Sequence, residues 1–139
     1  MRGTHRCYEG LTISRSLGGS FGTGLIAVTD SLRGGISSGE EVYLNLQLGE
    51  TVIADLEGAR AYLSSPLSAA GLLIRFPAHT ACRSLTGVHT EENIAGWSFT
   101  GFAEAVPITT LRCRIPNQRD FQWQLEVVED PSPLHSGTR

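Results

Sequence analysis

Lysine is absent from this 139-residue chain, whose eleven lysine-plus-arginine positions are all arginine. That excludes Schiff-base chemistry on lysine and the lysine of a nucleotide-gripping P-loop. Charge of either sign is sparse, at 18% of residues, and the net charge of −3 with a pI near 5.8 removes the general basic footprint of nucleic-acid binders. A local basic patch stays compatible with these values. Long apolar runs are missing too: "GLIAV" and "AAGLLI" are strand-sized and far short of a bilayer span, so no membrane segment is expected. The first residues, "MRGTHRCYEG", carry charge but no apolar core, so the expectation is a cytoplasmic protein without a secretory leader. Cysteine is scarce. Cys7, Cys82 and Cys113 are odd in number and widely spaced, which reads as reduced thiols rather than a disulfide framework, with Cys113 on an apolar strand face as core. No paired Cys-x-x-Cys spacing occurs, and neither a metal nor a cofactor is expected.

What is present is alternation. Val42, Leu44, Leu46 and Leu48 oppose Tyr43, Asn45 and Gln47, and Phe121, Trp123, Leu125 and Val127 oppose Gln122, Gln124 and Glu126, as half-buried strands require. Trp97 to Glu104 and Thr109 to Ile115 follow the same period, and shorter candidates run from Tyr8 to Ser14, Phe21 to Val28 and Gly71 to Phe76. In "TVIADLEGARAYL" Gly58 disfavours a helix, so strand, turn, strand is predicted. "HTEENIAG", His89 to Gly96, suits one helical turn capped by Thr90. Residues 77–96 otherwise carry no assignment. Together these features predict an all-β fold: a single small β-barrel of about six to nine mostly antiparallel strands with at most one short helix. It fills residues 1–128, and the proline-punctuated residues 129–139 are expected to be a disordered tail.

The glycine-rich stretch "FGTGLIAVTDSLRGGISSGEEVYLNL" is where a phosphate site would be sought. A phosphate cradle needs glycine-freed amides at the start of a helix, but here a β-branched run follows Gly22 and Gly24, and the dinucleotide pattern lacks its third glycine. The expected alternative is a strand from Gly22 to Thr29, a turn around "DSLRGG" and a second strand after Gly39.

Gly22, Gly24, Arg33, Gly34, Gly39, Glu40 and Val42 are spaced like the signature that opens the second-domain β-barrel of translational GTPases such as elongation factor Tu, and "EGARAYLSSPLSAAGLLIRF" resembles that family further on. The likeness runs over Tyr8 to Pro77, with Thr29 and Asp30 departing from the usual Thr-Gly and the GTPase domain absent. It implies a non-enzymatic binding module docking to protein or RNA. A second resemblance is to PilZ domains, barrels that bind cyclic-di-GMP. Arg2 and Arg6 match an Arg-x-x-x-Arg motif, and Ser31 and Gly34 match the Ser and Gly that follow it, with Thr29 in place of the acid or amide. This resemblance implies a cyclic dinucleotide held by the planar forks of Arg2 and Arg6.

Further constellations carry a chemical and a bland reading each. His79, Cys82 and His89, near Glu91 and Glu92, have the residue types of a small enzyme or metal site, against scattered loop residues. Glu40 and Glu41 are adjacent in a strand pattern, so they point to opposite faces and read as solvated charges. Arg112 and Arg114 share a face with Thr110, and Arg119 follows. This stripe fits an anionic partner or an edge strand guarded against aggregation, the guard being the expected role. Trp97 and Trp123 read as core rather than a base-stacking platform. The binding candidates are therefore Arg33, Arg112, Arg114, Arg2, Arg6 and Ser31, with a small interaction or inhibitor protein as the motif-free alternative.

Overall fold

The structure, a computed structural model, describes residues 1–8, 10–20, 22–35, 41–90, 93–102, 104–115 and 119–129; side chains at 2, 4–8, 20, 93 and 100 lie outside the description. The described residues contain fourteen strands: β1 (Arg2–Tyr8), β2 (Leu11–Ser20), β3 (Leu25–Gly34), β4 (Val42–Gln47), β5 (Ile53–Glu57), β6 (Arg60–Ser65), β7 (Ser68–Arg75), β8 (Ala81–Thr86), β9 (Val88–Thr90), β10 (Asn93–Ala95), β11 (Trp97–Gly101), β12 (Glu104–Pro107), β13 (Thr109–Ile115) and β14 (Asp120–Val128). No helix occurs among these residues, and every ladder is antiparallel. The all-β expectation holds. The strand number exceeds the six to nine expected, because β8, β9 and β10 fall among the described residues of 77–96, which carry no strand assignment, and because the Tyr8 to Ser14 and Trp97 to Glu104 runs are each shared between two strands, β1 and β2, and β11 and β12.

Two sheets carry the core. A seven-stranded sheet has the order β1-β2-β3-β14-β7-β6-β5, and a three-stranded sheet the order β4-β13-β8. One cluster draws Val28, Ala61, Leu63, Ile74, Phe121 and Trp123 from the large sheet and Leu44, Leu111, Cys113 and Ile115 from the small one. The sheets thus face each other across a shared apolar layer, as in a sandwich. No closed barrel is found among the described residues: the large sheet ends at β1 and β5, the small sheet at β4 and β8.

Register explains which side chains are inside. Opposed residues of an antiparallel pair share a face, so Ile26, Leu125, Ile74, Ala61 and Leu56 form one inward row across five strands. Ile74 and Ala61, in the middle of that row, are fully buried, while Ile26, on the part of the large sheet that overhangs the small one, is 44% exposed. The small sheet has three strands and covers only part of a seven-stranded face.

Three local expectations are corrected. "DSLRGG" is not a turn, since β3 runs through it to Gly34 and carries Asp30 and Leu32 inward. The chain turns instead at residues 22–24, where Gly24 adopts φ +62° and its carbonyl accepts a bond from the Val127 N–H at 3.0 Å. His89 to Gly96 holds no helical turn among its described residues; β9 and β10 pair there as a hairpin. Gly96 closes that segment at φ +76°, its carbonyl accepting from the Gly87 and Ile108 N–H groups at 3.0 and 2.8 Å. A Cβ there would stand 2.6 Å from the Leu85 carbonyl oxygen, so only glycine fits. Third, Cys82 and Cys113 are not free thiols but a disulfide, with Cα atoms 4.0 Å apart. They face each other across β8 and β13, a pairing that a separation of 31 residues does not reveal in sequence. The strand–turn–strand expectation over Ile53 to Ser65 is met by β5 and β6, with Gly58 at φ +57° in the turn. Residues 130–139 of the expected tail lie outside the described residues.

Candidate functional site

Two features of the sandwich have the geometry of a site: the groove beneath the overhang and the outer face of the small sheet.

The groove floor is one row of register. Gly3 on β1, Arg15 on β2, Asp30 on β3 and Phe121 on β14 lie side by side, with Ile13 and Leu32 opposed in the next row. Strand β4 forms the opposite wall, and the space between is about 510 Å³, within the range of ligand sites. Asp30 is only 3% exposed. A carboxylate so placed is tolerable only when its oxygens are satisfied. Arg15 donates from Nε to Oδ1 at 2.6 Å and from Nη2 to Oδ2 at 2.9 Å, and Trp123 Nε1 donates to Oδ2 at 3.0 Å. The guanidinium also lies 5.5 Å from the centroid of the Trp123 ring. This unit fixes the floor and cancels its charge, so the groove is apolar in its walls and neutral at its base.

The outer face of the small sheet is basic. Arg83 on β8 stands directly opposite Arg112 on β13, and Arg114 projects to the same side two residues on. On β4, Asn45 faces Arg112 and Tyr43 faces Arg114. The Arg112 guanidinium is 5.0 Å from the Tyr43 ring centroid. Arg114 Nη1 donates to Glu41 Oε1 at 2.9 Å, and the Tyr43 hydroxyl donates to the other Glu41 oxygen. The Tyr43 hydrogen bond, then the Arg114 guanidinium, hold the Glu41 carboxyl below its usual range, and the same bond to Glu41 raises the Tyr43 phenol. Because β13 is the central strand of its sheet, Arg112 and Arg114 do not guard an edge, contrary to the expected role. Like charges opposed across a ladder are destabilising, and an anion lying over Arg83 and Arg112 relieves that repulsion.

The other candidates are placed elsewhere. Arg33 and Ser31 lie on the outer face of the large sheet, since their neighbours Asp30 and Leu32 point inward. Arg33 Nη2 bonds Asp120 Oδ2 at 3.1 Å, and the hydrogen bonds of Arg33 and Ser31 keep the Asp120 carboxyl low. They therefore do not join Arg112 and Arg114. Arg2 and Arg6 lie on β1, Arg2 in register with Ser16, and their side chains are outside the description. His79 and His89 are exposed on separate segments, and the Cys82 sulfur is held in the disulfide, which leaves no thiol nucleophile between them. No group of three or more His, Cys, Asp or Glu suited to a metal ion occurs among the described residues. Glu40, Glu91 and Glu92 are outside them. Trp123 is buried core as expected, and Trp97 is half-buried, donating from Nε1 to the Val88 carbonyl at 3.0 Å.

Arg15 and Asp30 were not singled out from sequence, although a signal exists. Ile13–Arg15–Leu17 and Val28–Asp30–Leu32 each place one charge in a series on the groove side, and a carboxylate buried there needs an opposite charge on the neighbouring strand.

No family model matches the chain, and no curated protein matches it. Among solved structures it is similar to a chain described as "Heparinase III-BT4657 gene product", with a TM-score of 0.59 at 11% identity. The likeness covers 93% of this chain and 19% of that one. At this identity the likeness concerns fold, and it places the sandwich architecture within part of a much larger protein. No helix among the described residues is long and apolar enough to cross a membrane.

Proposed function

We propose that the chain is a non-enzymatic docking module that holds an acidic partner protein against the outer face of its small sheet. The carrying observation is the cross-strand register that puts Arg83 opposite Arg112, with Arg114 on the same face and Glu41 as the acid paired to it. Planar guanidinium groups fixed on a rigid sheet are preorganised to take carboxylates in pairs. Docking to a binding partner is the function that the translation-factor resemblance also implies. The cyclic-di-GMP reading gains less support, because Ser31 is engaged with Asp120 rather than presented to a ligand. The Cys82–Cys113 disulfide favours an oxidising compartment over the cytoplasm.

The test is binding to immobilised poly-glutamate across a salt series, with poly-uridine as the competing polyanion. The wild-type chain is expected to bind poly-glutamate in a salt-dependent manner, and a triple R83Q/R112Q/R114Q variant, confirmed folded by circular dichroism, is expected to bind at least about tenfold more weakly. Equal binding by the variant overturns the proposal. Preference for poly-uridine overturns the protein reading in favour of RNA.

A further inference from the structure

The second site is the free edge of β4 above the groove. Four consecutive residues of that strand, Val42, Tyr43, Leu44 and Asn45, line the space. Side chains alternate between faces along a strand, so a wall made of side chains alone would offer every second residue. Contribution from consecutive residues means that the backbone edge of β4 itself faces the groove.

The direction of the edge groups follows from the ladder. The Leu48 N–H donates to the Thr109 carbonyl at 2.9 Å, which continues the β4–β13 register. Antiparallel ladders alternate bonded and non-bonded pairs. Leu46, Leu44 and Val42 therefore share the bonded phase of Leu48, while Tyr43, Asn45 and Gln47 turn their N–H and C=O groups away from β13. Among the described residues no strand pairs that side of β4.

We propose that the β4 edge takes up an extended peptide from a partner protein as a fourth strand of the small sheet, with alternate apolar side chains entering the groove and the intervening acidic side chains on the face of Tyr43 and Asn45, reaching toward the Arg112 and Arg114 guanidinium groups. The backbone ladder supplies affinity and the two faces supply selectivity, as in other strand additions. Inward positions of the added strand meet Ile13, Leu32, Leu44 and Phe121. Outward positions lie next to Tyr43 and Asn45, behind which stand Arg114 and Arg112. An unpaired edge is otherwise a liability that folded proteins cover or charge. The proposal rests on the acidic-partner reading for its outward half and on the β4 geometry for its inward half.

The probe is a synthetic, end-capped decapeptide of alternating leucine and glutamate, measured with the full chain by calorimetry and by amide hydrogen exchange. Two further peptides carry backbone N-methyl groups on every leucine or on every glutamate. Only one set of N–H groups of an added strand points at β4. One methylated peptide should therefore lose at least about tenfold in affinity while the other stays within about threefold. The amides of Tyr43, Asn45 and Gln47 should become protected by the unmethylated peptide. Asn45→Pro deletes a groove-facing donor without touching the β13 ladder, and is expected to weaken binding by a similar factor while leaving the thermal midpoint close to wild type. Equal loss, or no loss, with both methylated peptides overturns strand addition, as does unchanged exchange at those three amides. If the peptide binds without these signatures and the R83Q/R112Q/R114Q variant loses it, the arginine-face reading stands alone. If poly-glutamate also fails to bind, both fall.

Discussion

Removing the disulfide should loosen the small sheet at β8 first. Among the described residues that strand is an edge, paired only to β13, and Cys82–Cys113 is its covalent tie to the central strand. For a closed loop of 31 residues, the chain-entropy relation gives about 12 cal/mol/K, or about 3.7 kcal/mol at 25 °C. For a chain of 139 residues that corresponds to a midpoint lowered by roughly 10–13 °C, or by about 1.5–2.5 M urea. Reduction with dithiothreitol is the cleaner perturbation, because it leaves both sulfur atoms in the core. Cys113→Ala would add a cavity at a fully buried position. Oxidised and reduced protein are compared by urea unfolding followed by tryptophan fluorescence, with amide exchange locating the early opening in Ala81–Thr86. A thiol titration in denaturant should find one reactive thiol before reduction and three after it, from the three cysteines of the chain. Three thiols before reduction, or coincident unfolding curves, would refute both the pairing and the loop-entropy reasoning.

Two further outcomes follow from named groups. Asp30→Ala leaves the Trp123 Nε1–H buried without its acceptor and releases Arg15. Because the Arg15 side chain is 44% exposed, its half of the pair is discounted for solvent, and the expected loss is about 2–3 kcal/mol, less for Asp30→Asn. A urea midpoint shifted by under about 0.5 kcal/mol equivalent would contradict the floor assignment. Glu41 is held below its ordinary value of 4.5 in the folded chain. Its contribution is therefore complete above pH 4.5 and lost as pH falls through the lower folded value. A carboxyl carbon titration by NMR should place its midpoint below 4.5, and Tyr43→Phe should raise it towards that value, since the Tyr43 bond is the largest cause. A midpoint at or above 4.5 in the wild type would remove the Glu41 network from the arginine face.

The strands with regular alternation were legible because their faces see different media. In β4, β13 and β14 the inward and outward sets separate along the chain, and Gly58 marked the β5–β6 turn by its backbone freedom. What stayed hidden depends on partners remote in sequence. Asp30 looked like a turn residue because an unpaired carboxylate belongs in water. Only the adjacency of β2 and β14 supplies the three donors that let β3 run on through it. The β9–β10 hairpin was obscured for a different reason, whereas the Trp97 to Glu104 alternation marked β11. The hairpin's strands are three residues long and Ile94 is exposed, so burial imposes little pattern on them. The arginine face was half legible: Arg112 and Arg114 share a strand face, whereas Arg83 joins them only through register.

That register ties the disulfide, the arginines and the free edge to a single choice of pairing. Leu44, Cys113 and Cys82 form one row across the small sheet, with Leu44 and Cys113 in the bonded phase on one side of β13 and Cys113 and Cys82 in the non-bonded phase on the other. The non-bonded phase brings Cα atoms closest, consistent with their separation of 4.0 Å. Slipping β8 by one residue would set Ala81 or Arg83 opposite Cys113 and turn the β8 side chains to the wrong faces. Neither alternative can form the bond. Oxidation therefore selects the register in which Arg83 stands opposite Arg112, while the companion β4 ladder directs the amides of Tyr43, Asn45 and Gln47 away from the sheet. A sheet of three strands has few neighbours to hold its register, and a covalent link at its centre provides what a larger sheet obtains from additional ladders.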